Sequence, residues 1–358
     1  MSLDELLNLP QYSLPQAQKE TALLAELKRL DKSHRERCSD YARLAAVMFP
    51  GHDDPASTAG LPYLPVRLFK THTLASVPEN DIFRILHSSG TTGQEPSRIV
   101  LDRETAQLQT LALSRIMTHV LGPRRLPMIL VEQPDLVKDR RSFNARAAGL
   151  LGMMNFGRDH FYALDGELNL RIAELREFLA KHGREPFLIF GFTFLVWTRF
   201  YEPAAAAGLD LSNGILIHSG GWKNLQDRAV TPNHFREAFR AATGLTRIYN
   251  FYGMVEQVGS VFLEGDDGWL YPPNFADIIV RDPNTFDELP AGETGVIQVI
   301  SALPRSYPGH SLLTEDLGVV RAIDSNGFGR LGKAFSVLGR IPRAELRGCS
   351  DVIAAQVH

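Results

Sequence analysis

Apolar and polar positions follow two different rhythms along this chain, and the change between them sets out its architecture. From Leu3 to Phe49 the period is helical. Within Ala17–Leu30, the residues Leu23, Leu24, Leu27 and Leu30 fall near one face, while Lys19, Glu20, Glu26, Lys28 and Arg29 lie mostly elsewhere. A further helix is predicted from Ser39, a candidate N-cap, to Phe49, where Pro50 and Gly51 stop it. Leu61–Lys70 reads as an extended segment, because Pro62 and Pro65 forbid a regular helix. Residues 1–77 are therefore expected to form an N-terminal helical layer of the same globule rather than an independent domain.

From Asp81 onward helical and strand-like segments alternate, the pattern of an α/β architecture. Strands are predicted over Asp81–Leu86, Ile99–Leu101, Met128–Val131, Phe187–Phe190, Ile215–Ile217 and Arg247–Tyr249. Helices are predicted over Thr105–Leu121, Arg171–His182 and Thr231–Thr243, the last with Pro232 in its first turn. After Glu264 the pattern becomes β-rich, with turns at Asp266–Gly268, Asp282–Asn284 and Ala291–Gly295 and a clear strand over Val296–Ile300.

Composition narrows the class. The 358 residues suffice for a large core, and 44% hydrophobic and 22% charged residues are ordinary for a globular protein. A net charge of −3 offers no general attraction to nucleic acid or to an anionic membrane. Two cysteines, Cys38 and Cys349, form neither a disulfide framework nor a metal-ligand pattern, which suits a cytoplasmic location. Met1–Leu7 is acidic where a signal peptide would be basic, and no membrane-spanning apolar run is present, so no membrane span is expected.

The candidate chemistry starts at Ser88, Ser89, Gly90, Thr91, Thr92 and Gly93, between two predicted strands. Gly90 and Gly93 can adopt φ > 0, so that successive N–H groups converge on an anion; the hydroxyls add donors, and Arg98 adds a fork suited to phosphate oxygens. The same residue types also fill ordinary surface turns. In open α/β sheets ligands gather at the carboxyl ends of strands, and three such ends are chemically rich. One is the aromatic stretch Gly191, Phe192, Phe194 and Trp197, fit to line a pocket for a nonpolar substrate or simply to pack in the core. The second is His218, Gly220, Gly221, Trp222 and Lys223, and the third is Asn250, Tyr252, Gly253 and Glu256.

Ser88–Gly93 resembles the phosphate loop of the adenylate-forming superfamily (acyl-CoA synthetases, luciferases, adenylation domains), with Arg98 in place of the usual lysine. Asn250, Tyr252, Gly253 and Glu256 match that superfamily's N-x-Y-G-x-T-E motif, with Val255 replacing the threonine. The resemblance implies that Tyr252 stacks on adenine and that Glu256 binds the Mg²⁺ accompanying ATP. Leu312–Gly318 resembles the T-G-D motif, with Glu315 replacing glycine and Asp316 placed to hold ribose hydroxyls. Leu338–Arg340 resembles the hinge motif and makes Arg340 a candidate phosphate or ribose contact. His218, Lys223 and Lys333 are candidate cations for adenylate formation.

The chain ends a short way past Arg340, and so resembles a large domain without the small mobile one. That pattern, with Leu64–Lys70, Gly220–Lys223 and Arg347–Ser350, resembles the acyl-protein synthetase (LuxE) family. The resemblance implies a catalytic core over 78–340 and a tail over 341–358 carrying Cys349. It further implies ATP and Mg²⁺ as cofactors, a fatty or other carboxylic acid as substrate, Cys349 as acyl carrier and an acyl-CoA-reductase-like protein as partner. Arg343 and Arg347 would favour the thiolate. Two alternatives stand beside this reading: a phenylacetate-CoA-ligase-like enzyme that gives the acyl group to a free thiol, and a non-catalytic adenylate-binding interaction module.

Overall fold

The computed structural model describes residues 1–52, 54–88, 95–137, 145–221, 230–324 and 329–341. Two compact units interleave in sequence. The first comprises Met1–Ile116, Gly253–Phe262 and Trp269–His358, and the second Met117–Tyr252 and Leu263–Gly268.

The first unit opens with the expected helices, Leu3–Asn8, Gln16–Arg37 and Ser39–Met48. Ser2 and Glu5 cap the first of them reciprocally, each side chain accepting from the other's backbone N–H. Ser39 is not the N-cap of the third helix. Cys38 takes that place, because its N–H still bonds back to His34 O and leaves no room for a separate capping residue. The extended segment after Leu61 holds only to Val66, whose N–H bonds to Leu313 O; Leu68–Thr71 then closes one helical turn.

The β-rich section of this unit is a mixed sheet. Strands Ala276–Arg281, Thr294–Ser301, Ser311–Ile323 and Lys333–Arg340 run antiparallel in that order, and Leu64–Pro65 joins Ser311–Ile323 in parallel. The long helix is fastened to this section by charge as well as by apolar contact. Lys19 Nζ donates to Pro272 O at 3.0 Å and lies 3.8 Å from Asp277, and Lys333 stands 3.8 Å from the other Asp277 oxygen. Lys333 also donates to Ile278 O, so this candidate cation is committed to a buried ion cluster. A separate hairpin, Arg84–His87 with Arg98–Leu101, pairs His87 with Arg98.

The second unit is built on five parallel strands. In spatial order they are Gly157–Tyr162, Leu126–Val131, Phe187–Phe192, Gly214–Ser219 and Arg247–Tyr252. The inner ones are continuous apolar runs, as strands covered on both faces must be. Gly157–Tyr162 escapes sequence reading because an edge strand can carry Arg158, Asp159 and His160 at the surface. The helix Pro232–Thr243 forms as expected. Thr231 accepts from His234 N–H, Pro232 needs no donor, and Gly244 at φ 72° ends it. Its Phe235 and Phe239 join Leu216, Ile248 and Trp197 in the core beneath the sheet. Among the described residues no helix is long and apolar enough to cross a membrane.

Candidate active site

In the first unit the hairpin sets the base of the phosphate loop. Ser88 N–H donates to Ser97 O at 3.2 Å, and Ser97 N–H donates to Ser88 Oγ at 2.8 Å, so the strands are locked where the loop leaves them. Ser89, Gly90, Thr91, Thr92 and Gly93 lie outside the described residues. Arg98 begins the returning strand and pairs with exposed Glu95 at 3.1 Å, a surface contact weak enough to exchange for a ligand anion.

Glu256 sits in the short turn Val255–Gln257 and is buried. Gln257 fixes that turn by donating to Gly309 O at 2.9 Å and to Val299 O at 3.4 Å. Burial pushes the Glu256 carboxyl above its ordinary range, against a smaller opposing pull from the Ser97 hydroxyl, Lys70 and Arg340. Lys70 and Arg340, far apart in sequence, thus both act through their charge on one buried acidic group. Arg340 stands opposite Asp316 in the antiparallel ladder, with Nε 3.8 Å from Oδ1. Asp316 N–H donates to Thr314 Oγ1, and Glu315, where the superfamily has glycine, is taken up by Arg67 at 2.6 Å. The stretch Leu312–Gly318 that resembles the T-G-D motif is part of a 13-residue strand, Ser311–Ile323. Sequence reasoning missed Lys70 and Ser97 as site residues. Lys70 closes the Leu64–Lys70 run already singled out, but nothing in that run announces a neighbouring carboxylate nearly two hundred positions later.

In the second unit the carboxyl ends carry the other group. Gly191, paired in register with His218, has no space beside it; a Cβ there would lie 2.7 Å from both Val131 and Val196. Phe194 packs against the core, and Val196 and Trp197 belong to it, because residues from Thr193 to Tyr201 turn into helix instead of lining an open wall. Phe192 is half-buried and approaches Gly149 and Gly220, where Cβ atoms would meet its ring at 3.9 and 3.7 Å. Gly220, at φ 83°, makes a turn that other residues rarely adopt, and Gly221 follows it exposed. Lys223 and Cys349 lie outside the described residues.

His218 is buried, stacks on Phe235 at 4.7 Å and contacts Thr193 Oγ1 through Nδ1 at 2.9 Å. Burial, with Arg236 nearby, drives its pKa down to about 3, so it is neutral and supplies no positive charge. The expectation of a cationic His218 is corrected on that ground.

Asn250 occupies the next strand, in register with His218. Its backbone N–H donates to Glu264 Oε2 at 2.8 Å, and Arg236 holds the other Glu264 oxygen at 2.5 Å. Its side-chain Oδ1 is buried without a hydrogen-bond partner among the described residues. Tyr252 ends the same strand, half-buried, and Gly253 begins the return into the first unit.

In the second unit, an orphaned buried acceptor on the strand that ends in Tyr252 suits an amino-bearing partner; in the first, the neck of a hydroxyl-rich loop suits phosphates. Among the described residues no cluster of three or more His, Cys, Asp or Glu is present, so a Mg²⁺ held by Glu256 would draw most of its ligands from phosphate oxygens and waters.

The fold and this distribution of groups define a ligase of the adenylate-forming superfamily. Residues 11–358 match the acyl-protein synthetase, LuxE, family, and the chain belongs to it. It is similar to the long-chain-fatty-acid–luciferin-component ligase of Vibrio harveyi, at 24% identity over 306 residues, covering 81% of this chain and 76% of that protein. The ligase of the same name from Aliivibrio fischeri is 23% identical over 276 residues, covering 74% and 70%. Among solved structures, 2-hydroxyisobutyryl-CoA ligase in complex with 2-HIB-AMP and CoA shares the fold at a TM-score of 0.68 and 20% identity, covering 92% of this chain and 77% of that one.

Proposed function

We propose that this protein activates a carboxylic acid with ATP and transfers the acyl group to a thiol. A carboxylate is a poor electrophile. Its oxygen attacks the α-phosphorus of ATP, pyrophosphate leaves, and the resulting acyl-adenylate carries AMP as a good leaving group. A thiolate then attacks the acyl carbon and AMP departs. The observation that carries this reading lies within one unit: the Ser88–Ser97 pairing closes the neck of the phosphate loop, and Glu256 is a buried carboxyl subject to the charges of Lys70 and Arg340. Mg²⁺ bound there would neutralise charge on the phosphate oxygens. Within the first unit, Arg98 and Lys70 are the cations this reading assigns to the transferring phosphoryl group; the resemblance of Ser88–Gly93 to the superfamily's phosphate loop supports a phosphate-binding role for that stretch. The superfamily resemblance supports roles for Asp316 toward ribose hydroxyls and for Tyr252 toward the base.

A free thiol such as coenzyme A is the acceptor we favour. It is supported by the likeness in fold to 2-hydroxyisobutyryl-CoA ligase in complex with 2-HIB-AMP and CoA. Family membership supports the rival, in which Cys349 carries the acyl group to an acyl-CoA-reductase-like partner. Intact mass after incubation with ATP, Mg²⁺ and a panel of acids, with and without CoA, separates them. Acyl-CoA formed equally well by Cys349→Ser is the expected result. An ATP-dependent mass gain that requires Cys349 and ignores CoA would move the acceptor onto the tail.

A further inference from the structure

Lys333, a candidate cation in the sequence, stands apart from the groups around Glu256. It pairs in register with Ile323 at one end of an antiparallel ladder whose other end pairs Asp316 with Arg340. The strand Lys333–Arg340 holds the two ends roughly 20 Å apart. The Lys333 ammonium carries N–H donors in threefold array, yet among the described residues it makes one hydrogen bond, to Ile278 O at 2.8 Å. The neighbouring carboxylates are too far to take the others, Asp277 at 3.8 Å and Glu288 at 4.0 Å. Lys333 is nonetheless only 8% exposed. Charge is unbalanced there as well. Lys19 and Lys333 share the buried carboxylate of Asp277, so two buried positive charges face one negative. Glu288 and Asp324, the other acids nearby, are exposed to water. Burial, opposed by Asp277 and joined by Lys333, lowers the Lys19 pKa to about 8, so Lys19 stays positive at pH 7.

Lys333 lines a cavity of about 360 Å³, within the size range of small-molecule sites. Its apolar walls come from Val280, Leu289, Pro290, Ala291, Val320 and Ile323, and Glu288 is the other charged lining residue. The loop side is held in place, since Leu289 N–H donates to Val280 O at 2.8 Å and Gly292 N–H to Val320 O at 2.9 Å. Ile323 is 46% exposed and marks where the cavity meets solvent. A buried ammonium with spare donors, an excess positive charge and apolar walls together call for one negative charge on a hydrocarbon body. We propose that this cavity binds a small organic monocarboxylate, its carboxylate on Lys333 Nζ and its apolar part against Val320 and Ile323. Glu288 is the group it displaces, because an exposed pair at 4.0 Å is worth little and exchanges readily. A dianion such as phosphate would bring a second charge among walls with no second cation among the lining residues. A neutral amide would leave the excess charge unanswered. This site is independent of the adenylate-forming chemistry proposed above.

The test is equilibrium dialysis of hexanoate and of hexanamide, without ATP, against the full chain, Lys333→Met and Glu288→Gln. Lys333→Met leaves Lys19 and Asp277 as a matched pair, and Glu288 is exposed, so both variants should fold; unchanged melting temperatures check this. Hexanoate should bind the wild type roughly tenfold or more tightly than hexanamide, the scale of one hydrogen bond to a charged group. Lys333→Met should lose roughly tenfold or more in hexanoate affinity. Glu288→Gln should gain roughly twofold to fivefold by removing the competing carboxylate, a change that damage to the fold cannot mimic. Should Lys333→Met unfold, Ile323→Glu at an exposed position takes its place and should weaken hexanoate by adding a like charge. Equal affinity for acid and amide would overturn the proposal. So would hexanoate binding untouched by every variant, which would put the acid elsewhere on the protein, or no retention of hexanoate at millimolar concentration.

Discussion

Glu256 illustrates how a single side chain is prepared for its work. Water would keep such a carboxyl ionised above the ordinary carboxylate range; burial here raises its pKa, and the nearby Ser97, Lys70 and Arg340 only partly restore it. A cation ligand must be deprotonated. Activity should therefore rise with pH along an acid limb centred above 4.5, the ordinary value for glutamate. Glu256→Gln should abolish that limb and lower turnover by roughly 100-fold, the scale of losing one electrostatic contact to a transferring group. A pH–rate profile for ATP–pyrophosphate exchange checks both; a variant with wild-type rate and profile would remove Glu256 from the chemistry. Gly191 makes a different point at the same scale. Substitution by alanine forces a Cβ to within 2.7 Å of Val131 and Val196 and should cost about 1–3 kcal/mol in urea unfolding. A neutral result would mean open space where the structure shows packing.

Among the elements, the helix Gln16–Arg37 depends most on distant sequence. Besides its apolar face it buries Lys19 and His34 against the C-terminal section. His34 Nε2 contacts Pro304 O at 3.1 Å, and its ring stacks on His310 at 5.1 Å. Burial drives the pKa of both histidines down to about 3. The folded value lies below the ordinary histidine value of 6.5, so on acidification the unfolded chain takes up protons first. Their contribution is fully present above pH 6.5 and is lost progressively toward pH 3, by on the order of 1 kcal/mol per histidine at pH 5.5. Urea unfolding at pH 7.5 and 5.5 should show that loss, and His34→Gln should reduce it; an equal pH dependence in the variant would contradict the assignment. Asp277 completes the attachment, buried between Lys19 and Lys333 and accepting from Gln16 Nε2 at 2.6 Å. Asp277→Ala leaves both lysines without their shared buried counter-charge and should cost about 3–5 kcal/mol in the same assay. A loss below 1 kcal/mol, the scale of an exposed pair, would contradict the buried-cluster description.

For the whole molecule, what could be read from the sequence depended on how local the cause was. Helix Pro232–Thr243 was legible because its cap, its proline and its closing glycine are neighbours in sequence. The apolar runs Phe187–Phe190 and Ile215–Ile217 were legible because inner parallel strands are apolar throughout. Strand Gly157–Tyr162 was not, since its edge position, and hence its tolerance of Arg158 and Asp159, is set by pairing with Leu126–Val131. The site divides similarly. Asn250, Tyr252, Gly253 and Glu256 lie in one short stretch, which the chain uses to pass from the second unit into the first. The charge of Lys70 acts on Glu256 only through folding, and the neutrality of His218 follows from burial that no local pattern records.

The central claim is that an acid and ATP react here to give an acyl-adenylate. Acid-dependent exchange of labelled pyrophosphate into ATP tests it most directly, because exchange requires the adenylate to form and reverse without any thiol. The account predicts exchange that needs both Mg²⁺ and a carboxylic acid and that persists in Cys349→Ser. ATP binding without exchange across fatty, hydroxy and aryl acids would contradict it and leave a nucleotide-binding module in its place.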